Sequence, residues 1–210
     1  MILKKPWFPI AYMFVVTAFF SSIVIGLTRF TSERVELNQK LAFERAVLSV
    51  LPGVKIETMT SLEVHNTFSK MIHEPDKSSN GAYTAKQNDR IIAYIVPISG
   101  RGFWATIKGV IGLKTDKETI TGIAFYEQSE TPGLGAEITK APFKNQFKGK
   151  VISSGAEPMK IRRPGTTLTN NEVHAVTGAT QTSDRLEVII NTALKKWQGQ
   201  NTEKDQGGTL

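Results

Sequence analysis

The chain has 210 residues, enough for one domain of common size with an appendage, and 40% of them are hydrophobic against 21% charged, a globular balance. A net charge of +7 is spread over scattered lysines and arginines with no basic helix interleaved with aromatics, which describes a solvated basic face and argues against nucleic acid as a partner. The absence of cysteine excludes disulfides, cysteine-ligated iron–sulfur clusters and cysteine zinc sites, and His65, His73 and His174 form no i, i+4 ligand pair.

Residues 1–6 form a short basic flank with Lys4 and Lys5, and "PWFPIAYMFVVTAFFSSIVIGLT" at 6–28 carries no charge. Such a run crosses a hydrocarbon core of about 30 Å, so 7–28 is read as a transmembrane helix. Trp7 and Tyr12 sit where amphipathic rings suit the interface, and Pro9 falls in the first turn, where its missing N–H is tolerated. A cleaved signal peptide is the competing reading. Its apolar core would be shorter and end in a small-x-small site, whereas here the run continues through Ile23, Val24 and Ile25. Lys4 and Lys5 favour a cytoplasmic N-terminus although Arg29 and Arg34 follow the span closely, and a long downstream domain translocates largely regardless of such charges.

Residues 29–52 continue as a juxtamembrane helix: Val35, Leu41, Ala42, Val47, Leu48 and Leu51 keep approximate helical spacing, Thr31 or Ser32 offers a cap, and "LPG" at 51–53 stops it. A coiled coil is the alternative, but the run is short for heptads. "DKSSNG" at 76–81 is a turn, and "RIIAYIVPISG" at 90–100 reads as a strand. "WATIKGVIGLK" and "ETITGIAFYEQ" flank "TDK" as a two-stranded hairpin whose imperfect alternation implies cover on both faces. "APFKNQFKGK" suggests a short helix stopping at Gly149. From Ser183 to Trp197, Leu186, Ile189, Ile190, Ala193, Leu194 and Trp197 share one helical face, with Asp184 and Glu187 as a capping box and Gly199 as a stop. The domain is taken as 53–200 and the polar stretch 201–210 as a flexible tail. Strands and helices mix without βαβ regularity, so the fold class is α+β behind a single N-terminal transmembrane helix.

Three stretches could carry chemistry. "GRGFWA" at 100–105 follows a strand as a dinucleotide loop does, but Gly109 and Gly112 in a β-branched run argue against a following helix, so a glycine-bracketed turn is preferred, with Phe103 and Trp104 as core or groove aromatics. "SETPGLGAEI" at 129–138 carries a type II turn signal at Pro132-Gly133. It is either a plain turn or a tight backbone cradle in which Glu130, Thr131 and Leu134 meet a flat ring with polar edges. "VTGATQTS" at 176–183 offers hydroxyls ahead of a helix, where free N–H groups and the dipole favour a phosphate; a Ser/Thr-rich capping loop is the plainer alternative. His174, six residues before Thr180, reads as a solvated loop histidine without an identifiable catalytic partner.

Taken together, these stretches resemble a known family. The anchor, "GRGFWATIKGVIGLKTDKETITGIAFYEQSETPGLGAEI", "QFKGK" and "VTGATQTS" look like the FMN-binding subunits of the sodium-pumping NADH:quinone oxidoreductase and of the related Rnf electron-transport complex, closer to the sodium-pump member. The resemblance implies a soluble FMN-binding domain with FMN held covalently by a phosphoester to Thr180, made by a separate flavin transferase. It implies further cofactor contacts from Thr177, Gly178, Ala179 and Thr182, and an isoalloxazine-side loop of Glu130, Thr131, Pro132, Gly133, Leu134 and Gly135. It also implies an electron-transfer subunit of an ion-translocating complex, single-pass in the inner membrane with its domain on the periplasmic or outer side, beside other membrane subunits. The family usually has an acidic residue six positions before the acceptor; here that position is His174 and Glu172 is displaced by two, which bears on modification more than on the fold. The chain is short for the sodium-pump member, as in a divergent or simplified complex. A stand-alone tethered flavoprotein and a non-redox module that has lost its flavin are the other readings.

Overall fold

The computed structural model describes residues 7–76 and 79–206. The basic flank 1–6, part of the turn at 76–81 and the last four residues of the tail lie outside that range. The chain divides into two units at Lys40/Leu41, each described by itself.

The first unit is helical. Helix α1 runs unbroken over Phe8–Ser49, so the expected span and juxtamembrane helix are one element, and it contains a stretch long and apolar enough to cross a membrane. Thr31 and Ser32 do not cap a new helix. Their hydroxyls donate back to the carbonyls of Leu27 (2.9 Å) and Arg29 (3.0 Å), as Ser22 and Thr28 do to Ala18 and Val24. A hydroxyl that can bond to its own helix in this way neither breaks it nor carries an unsatisfied polar group into an apolar phase.

The second unit begins with the last turns of α1, which bury Ala46, Val47 and Leu48. Helix α2 (Ser61–Met71) follows, capped by Thr60 in a reciprocal box with Glu63. Five strands then form one antiparallel sheet in sequence order: β1 (Ile72–His73), β2 (Tyr83–Gln87), β3 (Arg90–Arg101), β4 (Thr106–Leu113) and β5 (Ile120–Glu127). The predicted strand and hairpin are β3, β4 and β5. Period-2 alternation sends their side chains to two cores. Val96, Ile98, Ile107, Ile111, Leu113 and Ile123 face one; Ala93, Ile95, Val110 and Ala124 face the other, with Val47, Leu48 and Val64.

Beyond β5 come a 3-10 turn (Gly135–Thr139), helix α3 (Ala141–Lys144), a second 3-10 turn (Asn145–Phe147) and a short parallel pair, β6 (Lys160–Arg162) and β7 (Glu172–His174). Gly149 takes φ +81°, ending the helical turns where the sequence places their stop. Helix α4 (Thr180–Gln206) lays Leu186, Ile190, Leu194 and Trp197 on the first core. It begins three residues earlier than expected and passes Gly199 without stopping, because a single glycine costs only about 1 kcal/mol in a helix.

Gly112 on β4 lies where the carbonyl of Val50 and the side chain of Thr121 approach the backbone; a Cβ there would come within 2.8 Å of the Val50 oxygen. Gly112→Ala is expected to destabilise the domain by about 1–3 kcal/mol, the usual cost of overpacking, read as a lowered midpoint in chemical denaturation. A midpoint equal to wild type would show that this seam yields freely.

Candidate functional site

Three segments meet at one end of the sheet. The first is the hairpin turn between β3 and β4, where the Gly102 N–H donates to the Ala105 carbonyl at 2.8 Å. This confirms "GRGFWA" as a strand–strand turn. It leaves Phe103 and Trp104 43% and 62% exposed, so they are not core residues, with their rings edge to face at 5.0 Å.

The second segment is the loop after β5. The Leu134 N–H closes on the Thr131 carbonyl at 3.1 Å, with Pro132 and Gly133 at the corner and Gly133 at φ +75°, the geometry of a type II turn. Gly135 behind it is buried, and a Cβ would lie 2.5 Å from the Thr182 hydroxyl oxygen. Only glycine lets the loop lie this close to the helix.

The third is the start of α4. Gly178, at φ +79°, turns the chain, Ala179 precedes the helix, and Thr180 is its first residue. Asp184 therefore does not cap the helix. It lies exposed in the helix, and the Glu187 carboxylate instead accepts from the Ile161 N–H on β6. Ala179 has no side chain able to cap, so the N–H groups of the first turn lack intrahelical partners and present the positive end of the helix dipole. Thr182 and Ser183 are buried, the Thr182 hydroxyl bonded to Glu130 and the Ser183 hydroxyl accepting from the Val176 N–H. Thr180 is exposed.

Glu130 binds the three segments together. It is 5% exposed; its Oε1 accepts from the Phe103 N–H (2.8 Å) and the Trp104 N–H (3.2 Å), and its Oε2 from the Thr182 hydroxyl (2.7 Å). The Trp104 indole N–H donates to the Thr131 hydroxyl at 3.0 Å, a second tie between turn and loop.

Between the segments opens a cleft of about 270 Å³. Of the residues singled out from sequence, Glu130, Thr131, Leu134, Gly135, Gly178, Ala179, Thr180 and Thr182 line it. Pro132 and Gly133 form the exposed corner of the turn, and Thr177 is exposed beside the cleft without lining it. Phe103 and Gln181 line it as well, and the sequence motifs do not mark them as ligands. A glycine-bracketed aromatic at a hairpin turn is the available signal for Phe103. Gln181 follows only from the earlier start of α4.

His174 lies on β7 rather than in a solvated loop. Its N–H donates to the Gln146 Oε1 at 2.8 Å, and its carbonyl accepts from the Gln146 side chain at 3.2 Å. Glu172 accepts from the Thr169 N–H at 2.9 Å and from Arg162 Nε at 2.8 Å. These bonds hold its carboxyl well below the usual range, at about 2.

This geometry has counterparts in known proteins. Residues 102–195 match the FMN-binding domain family, and that segment is an FMN-binding domain. NqrC, a subunit of the Na(+)-translocating NADH-quinone reductase, is the particular protein that its relatives name. The Chlamydia pneumoniae NqrC is 47% identical over 76 residues, 36% of this chain and 24% of the relative. The Vibrio anguillarum NqrC is 35% identical over 108 residues, 50% and 42% of the two chains. The match thus spans less than half the length of these curated relatives. The crystal structure of the Parabacteroides distasonis NqrC superimposes with a TM-score of 0.66 at 25% identity, over 82% of this chain and 96% of that one. Shewanella oneidensis NqrC (TM-score 0.52, 22% identity, 63% and 70% covered) shares the fold. The family resemblance, its sodium-pump side and the α+β class with one long apolar N-terminal helix therefore hold.

Because the folded pKa of Glu172 is depressed from 4.5 to about 2, its contribution to stability is present above the unfolded value and is lost as pH falls through the folded one. Glu172→Gln is expected to lower the thermal midpoint at neutral pH, with the gap to wild type closing between pH 4.5 and 2. A gap that stays constant across that window would contradict the pairing.

Proposed function

We propose that the chain is a membrane-anchored flavoprotein subunit that carries FMN on Thr180 through a phosphoester and relays electrons within an ion-translocating NADH:quinone oxidoreductase. The observation that carries this is the meeting of an exposed threonine hydroxyl, at the uncapped start of α4, with a cleft whose other wall is the Leu134 loop.

The residues fit the group. The first-turn N–H groups and the helix dipole suit a phosphate at Thr180. Gly178 faces the Leu134 side chain so closely that a Cβ would sit 3.2 Å from it, leaving a narrow slot for a flat ring. Leu134 and Phe103 offer apolar cover at the slot, and Thr131 and Gln181 offer polar atoms for ring and ribityl edges. Of the candidate hydroxyls, those of Thr182 and Ser183 are already committed, which singles out Thr180.

FMN supplies the redox chemistry, accepting electrons in pairs and releasing them singly. The protein holds and orients it. Small-molecule pockets usually run from about 300 to 1,000 Å³, so an open cleft near the lower limit leaves much of the cofactor in solvent. A covalent phosphate link would prevent its loss, and an exposed ring edge would remain within reach of neighbouring redox centres. The apolar stretch of α1 would tether the domain to the membrane beside its partner subunits, with the domain on the periplasmic or outer side. A flavin transferase would install the cofactor.

Expressed with that transferase and then denatured, the full chain is expected to show an intact mass raised by one FMN less one water, with in-gel flavin fluorescence. Thr180→Ala should abolish both, while Thr177→Ala keeps them. An unmodified wild-type mass under these conditions would refute the covalent assignment.

A further inference from the structure

Glu130 is the sole charged side chain lining the cleft among the described residues, and covalent attachment at Thr180 does not use it. A carboxylate buried to 5% exposure is costly unless its lone pairs are matched. Here three donors point at it and it donates to none, the pattern that suits its anion. Its neighbours are shaped around it: a Cβ on Gly102 would lie 2.5 Å from Oε1, and one on Gly135 would lie 2.8 Å from Oε2. Thr182, its partner on α4, is two residues from Thr180.

We propose that Glu130 is the positioning and charge-setting residue of the cleft. Its carboxylate fixes the β3–β4 turn and the first turn of α4 against the Thr131–Gly135 loop. Its fixed negative charge holds a flavin bound there at a lower reduction potential than a neutral side chain would. The second part follows from Coulomb's law: an electron added to the ring sits beside a buried anion that solvent screens poorly. Arg101 and Arg185, the nearby cations on the far side of Gln181, share their separate open cleft with Asp184. The proposal rests on the flavin reading of the cleft.

Glu130→Gln separates the two roles. Its amide oxygen can still accept from Phe103 and Trp104, and its amide N–H can donate to the Thr182 oxygen, but the charge is gone. The full chain bearing this substitution is expected to keep wild-type flavin content and to shift its reduction potential to more positive values. Glu130→Ala removes the clamp and should lower flavin incorporation about tenfold or more, as losing bonds to a buried charge does. Should Glu130→Ala fail to fold, Thr182→Val removes one arm of the clamp and takes its place. An unchanged potential in Glu130→Gln overturns the charge-setting role, and full incorporation in the clamp-breaking variant overturns the positioning role. Hydrogen exchange on the unloaded chain is an independent readout: the Phe103 and Trp104 amides should be protected in wild type and Glu130→Gln and exchange about tenfold faster in Glu130→Ala. If wild type carries no flavin, the flavin reading and the charge-setting role fall together. The clamp is then decided by exchange alone, and unchanged protection in Glu130→Ala overturns it.

Discussion

A buried carboxylate needs donors, and in this protein the need of Glu130 joins segments far apart in sequence. Its partners lie 26 and 27 residues before it and 52 after it. Without them the turn after β3, the loop after β5 and the start of α4 would share no polar contact through this side chain. The glycines at 102 and 135 are small because the carboxylate lies against them. The cleft is the space left over when those segments are drawn to one point.

That point is held on a rigid support. The sheet is covered on both faces, by α4 on one and by the end of α1 with α2 on the other. A doubly covered sheet can present loops in fixed positions because its strands have little freedom to shift register. Loops on such a scaffold are where ligand sites gather. The start of α4 is fixed by the packing of Leu186 and Ile190 further along the same helix, so the position of Thr180 is set by the core and not by the loop alone.

Much of this is legible in the sequence. The apolar N-terminal run, the β3 strand, the β4–β5 hairpin and the apolar face of α4 all show in hydrophobic period. The type II turn at Pro132-Gly133 is written in its residues, as is the hairpin reading of "GRGFWA". The motifs on either side of the cleft contain eight of its lining residues. Capping is where local pattern misleads: "DRLE" at 184–187 has the form of a box and is helix interior, while the true box is Thr60 with Glu63 in "TSLE". Such patterns occur by chance, and only the packing of the whole helix decides which one starts it. The short strands β1, β2, β6 and β7 leave no clear period in so few residues. The burial of Glu130 is not legible either, since a carboxylate in a turn is ordinarily solvated and its partners are distant in sequence. The same holds for His174, whose strand and Gln146 partner depend on the β6–β7 pairing.

The flavin reading confines the cofactor to one cleft, walled by the Leu134 loop and the start of α4. A structure of the full chain after flavin loading decides it. Density continuous with the Thr180 hydroxyl oxygen is expected, with the ring in the slot between Leu134 and Gly178 and beside Phe103. Flavin density in the neighbouring cleft of Arg101 and Arg185, or attached to another hydroxyl, would contradict it.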